Sequence, residues 1–203
     1  MSPWKVAIKS AGLISLVLIF AGAGQAAGIK GKVRVEGIKS AGDIAVYIDA
    51  IPGKTLNPPF EHAVIDQRKM TFIPHVTVIS QGTTVDFLNS DKVGHNVFWP
   101  SVGGNKELAA NLGTIPPGQK KEYQFKDVGT AALLCHMHRD MSGYVVVVPT
   151  RYFAVTDKEG NYEIKNVPPG QYTIKTWSEE GKPITRTVTV ANDTVTANLV
   201  VEK

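Results

Sequence analysis

Seven consecutive residues, Cys135-His-Met-His-Arg-Asp-Met141, bring together one thiol, two imidazoles and two thioethers. As ligand spacing the segment reads C-x2-H-x2-M, and a further histidine, His95, stands 40 residues upstream of the cysteine. Cys135 is the only cysteine of the 203-residue chain, so it cannot close an internal disulfide. Taken alone, it could be a buried residue acting as a small hydrophobe. Its neighbours supply another reason. A thiolate and a thioether favour Cu(I), imidazoles tolerate Cu(II), and two histidines with one cysteine and a weak axial methionine suit copper that cycles between the two states. The set expected to hold one copper ion is His95, Cys135, His138 and Met141.

The chain has five histidines, at 62, 75, 95, 136 and 138. Adjacent residues of an extended strand point to opposite faces, so a cysteine facing the metal turns His136 away. The third residue on lies past the strand end, where the loop can fold back, and this favours His138. Met141 is favoured over Met137 on the same grounds. His75, in Phe72-Ile-Pro-His-Val76, reads as a surface histidine, Met70 as packing, and His62 carries no assignment.

Positioning such a set takes a rigid frame, and the sequence supplies strands. Val76-Thr-Val-Ile79, Thr84-Val-Asp-Phe-Leu88 and Tyr172-Thr-Ile-Lys-Thr-Trp177 are rich in β-branched and aromatic residues and are punctuated by Gly, Pro, Asn and Asp. No segment of about ten residues keeps a helical period. Lys106-Glu-Leu-Ala-Ala-Asn111 could form a helical turn, but it is short. The fold class is all-β.

Residues 60–149 resemble the cupredoxins, the plastocyanin, azurin and amicyanin family. Phe72-Ile-Pro74, Gly82-Thr-Thr-Val-Asp-Phe87, Asn89-Ser-Asp91, Gly94-His-Asn-Val97, Pro117-Gly118 and the Cys135–Met141 loop carry the resemblance. It implies a Greek-key β-sandwich holding a single type 1 (blue) copper, with His95, Cys135, His138 and Met141 as ligands, and one-electron transfer with a redox partner protein. It also implies that Asn96 ties the His95 loop to the Cys135 loop, hydrogen-bonding near the sulfur. The short ligand loop is most like that of amicyanin. Two departures stand out. Ala131-Ala-Leu-Leu134 precedes the cysteine where an aromatic residue is common, and Phe98-Trp-Pro-Ser-Val-Gly-Gly104 is bulky, leaving Phe98 and Trp99 either in the core or near the copper end.

Residues 150–203 contain no His, Cys or Met and alternate strands with turns at Asp157-Lys-Glu-Gly160, Pro168-Pro-Gly170 and Glu179-Glu-Gly181. They resemble the second half of a carboxypeptidase-regulatory-like, prealbumin-type β-sandwich, whose first strands match Gly31-Lys-Val33 and Ala45-Val-Tyr-Ile48. The expected organisation is a second, smaller sandwich, discontinuous over 28–58 and 150–203, with the 60–149 module inserted into it. The alternative is an amino-terminal extension plus a separate tail, which would have a marginal core at this length.

Residues 1–27 read as a cleaved signal peptide. Lys5 and Lys9 precede an apolar run over Ala11–Phe20 and the small-residue stretch Ala21-Gly-Ala-Gly-Gln-Ala-Ala27. The run is too short for a hydrocarbon core that needs about 20 residues, and no cysteine follows for lipid attachment. Periplasmic or other export, with no stable membrane span after cleavage, is the expectation. The formal charge is +4, and the leader holds two lysines and no acid, leaving 20 basic and 18 acidic residues. Nothing in that balance points to nucleic acid. Hydrolase chemistry lacks a G-x-S-x-G elbow, and five histidines are too few for a lone multicopper oxidase, so no enzymatic activity is expected. Copper handling without a redox role is the alternative function.

Overall fold

The computed structural model describes residues 27–37, 40–51 and 60–203. The expected signal segment lies outside them except for Ala27, as does the stretch at 52–59. Two strands come first, β1 (Ile29–Val35) and β2 (Ala45–Ile48). Nine follow: β3 (Ala63–Gln67), β4 (Phe72–Ile73), β5 (Val76–Ser80), β6 (Thr84–Asn89), β7 (His95–Trp99), β8 (Ala110–Ile115), β9 (Lys120–Gln124), β10 (Gly129–Leu134) and β11 (Ser142–Val148). The last six are β12 (Phe153–Val155), β13 (Asn161–Ile164), β14 (Gly170–Trp177), β15 (Thr185–Val190), β16 (Val195–Thr196) and β17 (Leu199–Val201). The all-β expectation holds. The anticipated helical turn is a single 3-10 turn over Lys106–Leu108, opened by the Asn105 side chain accepting from the Glu107 amide, and β8 begins at Ala110.

The middle nine strands make two sheets, ordered β5-β11-β10-β7-β8 and β4-β3-β6-β9. Period-2 alternation sets their inner faces: Val85, Phe87 and Asn89 of β6 point inward. The core gathers Ile65, Phe72, Phe87, Trp99, Ile115, Phe125 and Leu133, and Cys135 and Met141 belong to the same cluster. Trp99 is 1% exposed, lies against Phe87, Tyr123 and Phe125, and donates its ring N–H to the Leu108 carbonyl. Of the two aromatic residues after His95, Trp99 is therefore core. Trp99→Ala is expected to cost about 3–5 kcal/mol in denaturant unfolding, the range for emptying a large buried site.

Strands from both ends of the chain share the other two sheets. β1 pairs antiparallel with β13 and parallel with β16 and β17, while β2 lies between β12 and β14, and β14 pairs with β15. Ile29, Val33, Val46 and Ile48 from the amino side pack into one core with Tyr162, Ile174, Val188 and Leu199 from the carboxy side.

β11 explains how the two sandwiches meet. Its run Val145-Val-Val-Val148 is apolar on both faces. Val145 and Val147 enter the middle module's core, while Val146 and Val148 join Val76, Val78 and Ala45 in a separate cluster with Tyr47, Tyr144, Phe153 and Trp177 packed around it. At the rim of that cluster, Glu179, just past β14, accepts from the Tyr144 hydroxyl at 2.8 Å and meets His75 Nε2 at 2.9 Å. The His75 hydrogen bond holds the Glu179 carboxyl below the usual range against the opposing effect of burial, and Tyr144 adds to it. Burial, then Glu179, pushes the Tyr144 phenol up to about 12, so it remains a donor.

A depressed carboxyl stabilises the fold above its ordinary value of 4.5 and loses that contribution as pH falls through the lower folded value. Thermal melts of Glu179→Gln are thus expected below wild type at neutral pH, converging with it in acid. Solvent screening at this half-exposed pair keeps the difference within about 1 kcal/mol.

Candidate metal centre

Antiparallel pairing of β10 with β7, with Leu134 opposite Phe98, aims the chain beyond Leu134 back along β7 toward His95. Cys135 leaves β10 there, and His95 opens β7. The Cys135–Met141 loop then turns back into β11. The Met141 amide donates to the His138 carbonyl at 3.0 Å, closing the loop tightly enough to return His138 to the cysteine.

His95 Nδ1 lies 3.0 Å from His138 Nδ1, and Cys135 Sγ lies 3.8 Å from the same His138 nitrogen. The ligand atoms of His95, Cys135 and His138 are all within 4.8 Å of one another. His95 is fully buried, Cys135 and Met141 are buried, and His138 is half-buried. The Met141 side chain sits in the core cluster that includes Cys135. The structure thus brings together His95, Cys135 and His138, with Met141 buried in the same core cluster as Cys135. His136 and Met137 of the same loop are exposed, and the His136 ring stacks on Phe98 at 3.8 Å and 6°.

Asp91 is a partner that the sequence reading did not single out. Its Oδ2 meets His95 Nε2 at 2.8 Å. With the Nε2 proton committed to that carboxylate, Nδ1 keeps its lone pair and faces His138 and the thiol. The tautomer is assigned from this contact. Asp91 also accepts from the Lys69 and Met70 amides, at 2.6 and 2.9 Å, where both residues take positive φ, 57° and 55°, in the turn between β3 and β4. Burial opposes ionisation of Asp91. The Met70 and Lys69 amides and His95 outweigh it, and its carboxyl lies below the usual range. Asn89 completes the brace: its side-chain amide donates to the Val93 and Ile115 carbonyls, and its Oδ1 accepts from the Asp91 amide.

Asn96 departs from expectation. Its side-chain amide donates to Asn111 Oδ1 on the neighbouring β8 at 2.9 Å and does not reach the Cys135 loop, while its Oδ1 is buried without a hydrogen-bond partner. The antiparallel β7–β8 pairing supplies this partner: Asn111 stands opposite Phe98, across the irregularity between Val97 and Phe98, and its side chain turns to meet Asn96.

The other histidines lie apart. His75 belongs to the contact with Glu179, and His62 pairs with Asp86 at 2.8 Å, beside Glu122 and Lys120.

These donors fit copper. Two imidazole nitrogens and one sulfur converge on a point screened from solvent, and a carboxylate holds one imidazole in the tautomer a metal needs. The family model for copper binding proteins of the plastocyanin/azurin family matches residues 61–148.

That match spans the nine middle strands, so it is the middle module of this chain that is similar to the plastocyanin/azurin copper proteins. The model for the carboxypeptidase regulatory-like domain matches residues 139–202, from the ligand loop to the last strand. Among solved structures, an oxidised amicyanin variant is 26% identical over 42% of this chain and 81% of its own, with a TM-score of 0.39. A reduced amicyanin variant is 24% identical over 50% and 97%, at 0.40. The copper-containing nitrite reductase of Thermus scotoductus is 24% identical over 49% and 25%, also at 0.40. No curated protein gives a significant match.

In the middle module, Asp91→Ala removes both the His95 partner and the acceptor of the β3–β4 turn. A loss of about 10–100-fold in copper affinity is expected, the usual effect of deleting an outer-shell partner. Competition with a chromophoric chelator would measure it.

Proposed function

We propose that this chain is an exported electron carrier holding one type 1 copper through His95, Cys135, His138 and Met141. The observation that carries the reading is the convergence of His95 Nδ1, Cys135 Sγ and His138 Nδ1 within 4.8 Å, at the junction of β7 and β10. Copper bound there supplies a one-electron couple. The chain's own residues keep the site nearly fixed during that exchange. Adjacent strands of one sheet anchor His95 and Cys135, Asp91 holds the His95 ring at its Nε2, and the Met141-to-His138 backbone bond fixes the loop. A site that moves little on changing charge has a low reorganisation barrier.

Half-buried His138 is the exit toward a partner protein. Three exposed apolar side chains, Met70, Val93 and Met137, lie on the turn, loop and ligand segment that hold Asp91, His95 and Cys135. They offer an apolar rim for brief docking, consistent with the small interfaces of redox encounters. A carrier, as opposed to an enzyme, agrees with a second module that has no His, Cys or Met after residue 149. The reading includes the leader at 1–27 that would deliver the chain to the periplasm, and the insertion of 60–149 into a sandwich built from 28–58 and 150–203.

The test is voltammetry of residues 28–203 loaded with one equivalent of copper. A reversible one-electron wave with an intense visible band is expected. Several weakly coloured Cu(I) ions per chain and no reversible wave would instead establish copper handling.

A further inference from the structure

The contact between the two sandwiches reaches the copper loop along a short path. We propose that Glu179 is a positioning residue for the copper centre: a latch from the second sandwich that holds the start of β11, and through it Met141. The proposal rests on the reading of Met141 as the axial ligand.

Four observations make the path. Glu179 grips two points of the copper domain at once, the Tyr144 hydroxyl at 2.8 Å and His75 Nε2 at 2.9 Å. Those two points are joined to each other, because the Tyr144 amide donates to the His75 carbonyl at 2.8 Å, so carboxylate, phenol, backbone and imidazole form a closed ring. Gly143, the residue before Tyr144, has no slack: a Cβ built there would stand 3.0 Å from Phe72 Cβ and 3.1 Å from the His75 carbonyl. Two residues earlier, Met141 is tied by its amide to His138. Displacement of Tyr144 is therefore passed to Met141 and not absorbed between them. Trp177, two residues before Glu179, packs on the Tyr144 ring at 5.1 Å and holds the latch from its own side.

The geometry also gives a sign. Releasing the latch lets Met141 draw back; soft as a thioether is, Cu(I) is satisfied by the other three donors while the more highly charged Cu(II) gains more from a fourth, so a weaker Met141 contact raises the reduction potential. Removing a carboxylate raises the potential as well, by charge alone. Glu180 separates the two effects: it is the next residue, carries the same charge, and among the described residues pairs only with Lys203, at 3.6 Å.

The experiment compares Glu179→Ala, Tyr144→Phe and Glu180→Ala in the full chain, each checked for native circular dichroism. With copper, Glu179→Ala is expected to raise the Cu(I)-to-Cu(II) binding ratio about threefold beyond Glu180→Ala, or about 30 mV at 59 mV per tenfold for one electron. Tyr144→Phe, which cuts one arm and removes no charge, should shift it in the same direction. Without copper, amide exchange at Met141 and Tyr144 should quicken about fivefold in Glu179→Ala and stay at the wild-type rate in Glu180→Ala.

Equal potentials for Glu179→Ala and Glu180→Ala would overturn the role at the metal. Equal exchange at Met141 would overturn the latch itself. A wild-type chain that takes up no copper would instead refute the electron-carrier reading, and exchange in the metal-free chain would still decide the latch.

Discussion

Cys135→Ser is expected to abolish the intense visible absorption of the copper-loaded chain while leaving its circular dichroism native. The hydroxyl of serine occupies nearly the same volume, so the core around Leu133 and Met141 loses little packing. It does not ionise near neutral pH, however, and offers a hard, weak donor in place of a soft thiolate. Two imidazoles and a thioether remain and can still bind copper, without the sulfur-to-metal charge transfer that gives the colour. The fall in affinity should exceed the about 10–100-fold that follows loss of an outer-shell partner. His136→Ala is the matching control, since that ring stacks on Phe98 and is exposed to solvent. A Cys135→Ser chain that kept the band would remove the thiolate from the site.

The second large effect lies far from the metal. Gly31→Ala should unfold the sandwich built from both chain ends. A Cβ at Gly31 would stand 2.0 Å from the Ala197 carbonyl oxygen and 2.6 Å from its carbon, distances that real atoms do not reach. The obstacle is backbone, fixed twice over: the Ala197 amide donates to the Lys30 carbonyl, and the Ala197 carbonyl accepts from the buried Tyr162 hydroxyl at 2.6 Å. Making room would strand that phenol or break the β1 ladder, so a cost at or above about 4 kcal/mol is expected, in the exceptional tail for single changes. Absorption of the copper-loaded chain should survive, because the middle module has a core of its own. Simultaneous loss of the absorption and the circular dichroism would show that the two cores unfold as one unit.

Sequence patterns carried the parts of this molecule that are local. Alternation located the strands, and C-x2-H-x2-M with an upstream histidine named residues that the structure gathers at one end of a sandwich. Individual side-chain contacts between segments distant in sequence were not legible. Asp91 touches His95 four residues away, but its role becomes visible only with the turn at Lys69 and Met70, which reaches it from more than twenty residues upstream. Its one signal was its place in Asn89-Ser-Asp91, just before the histidine. His75 read as a surface residue because nothing near it hints at Glu179, 104 positions away. Asn96 was assigned a partner by its motif, whereas strand pairing gave it Asn111. Phe98 and Trp99 could not be separated by composition; alternation along β7 decided the matter, sending Trp99 inward and leaving Phe98 half-buried beneath His136.

The double-faced β11 has a consequence for anyone who would trim this protein to its middle module. Residues 60–149 alone would present Val76, Val78, Val146 and Val148 to water, on a face ending at β5, the edge strand of its sheet. An exposed aliphatic stripe beside an open edge invites sheet-to-sheet association. The outer sandwich thus serves as a covalent solubility shield, and a free-standing version would need polar residues at these four valines before it stayed dispersed.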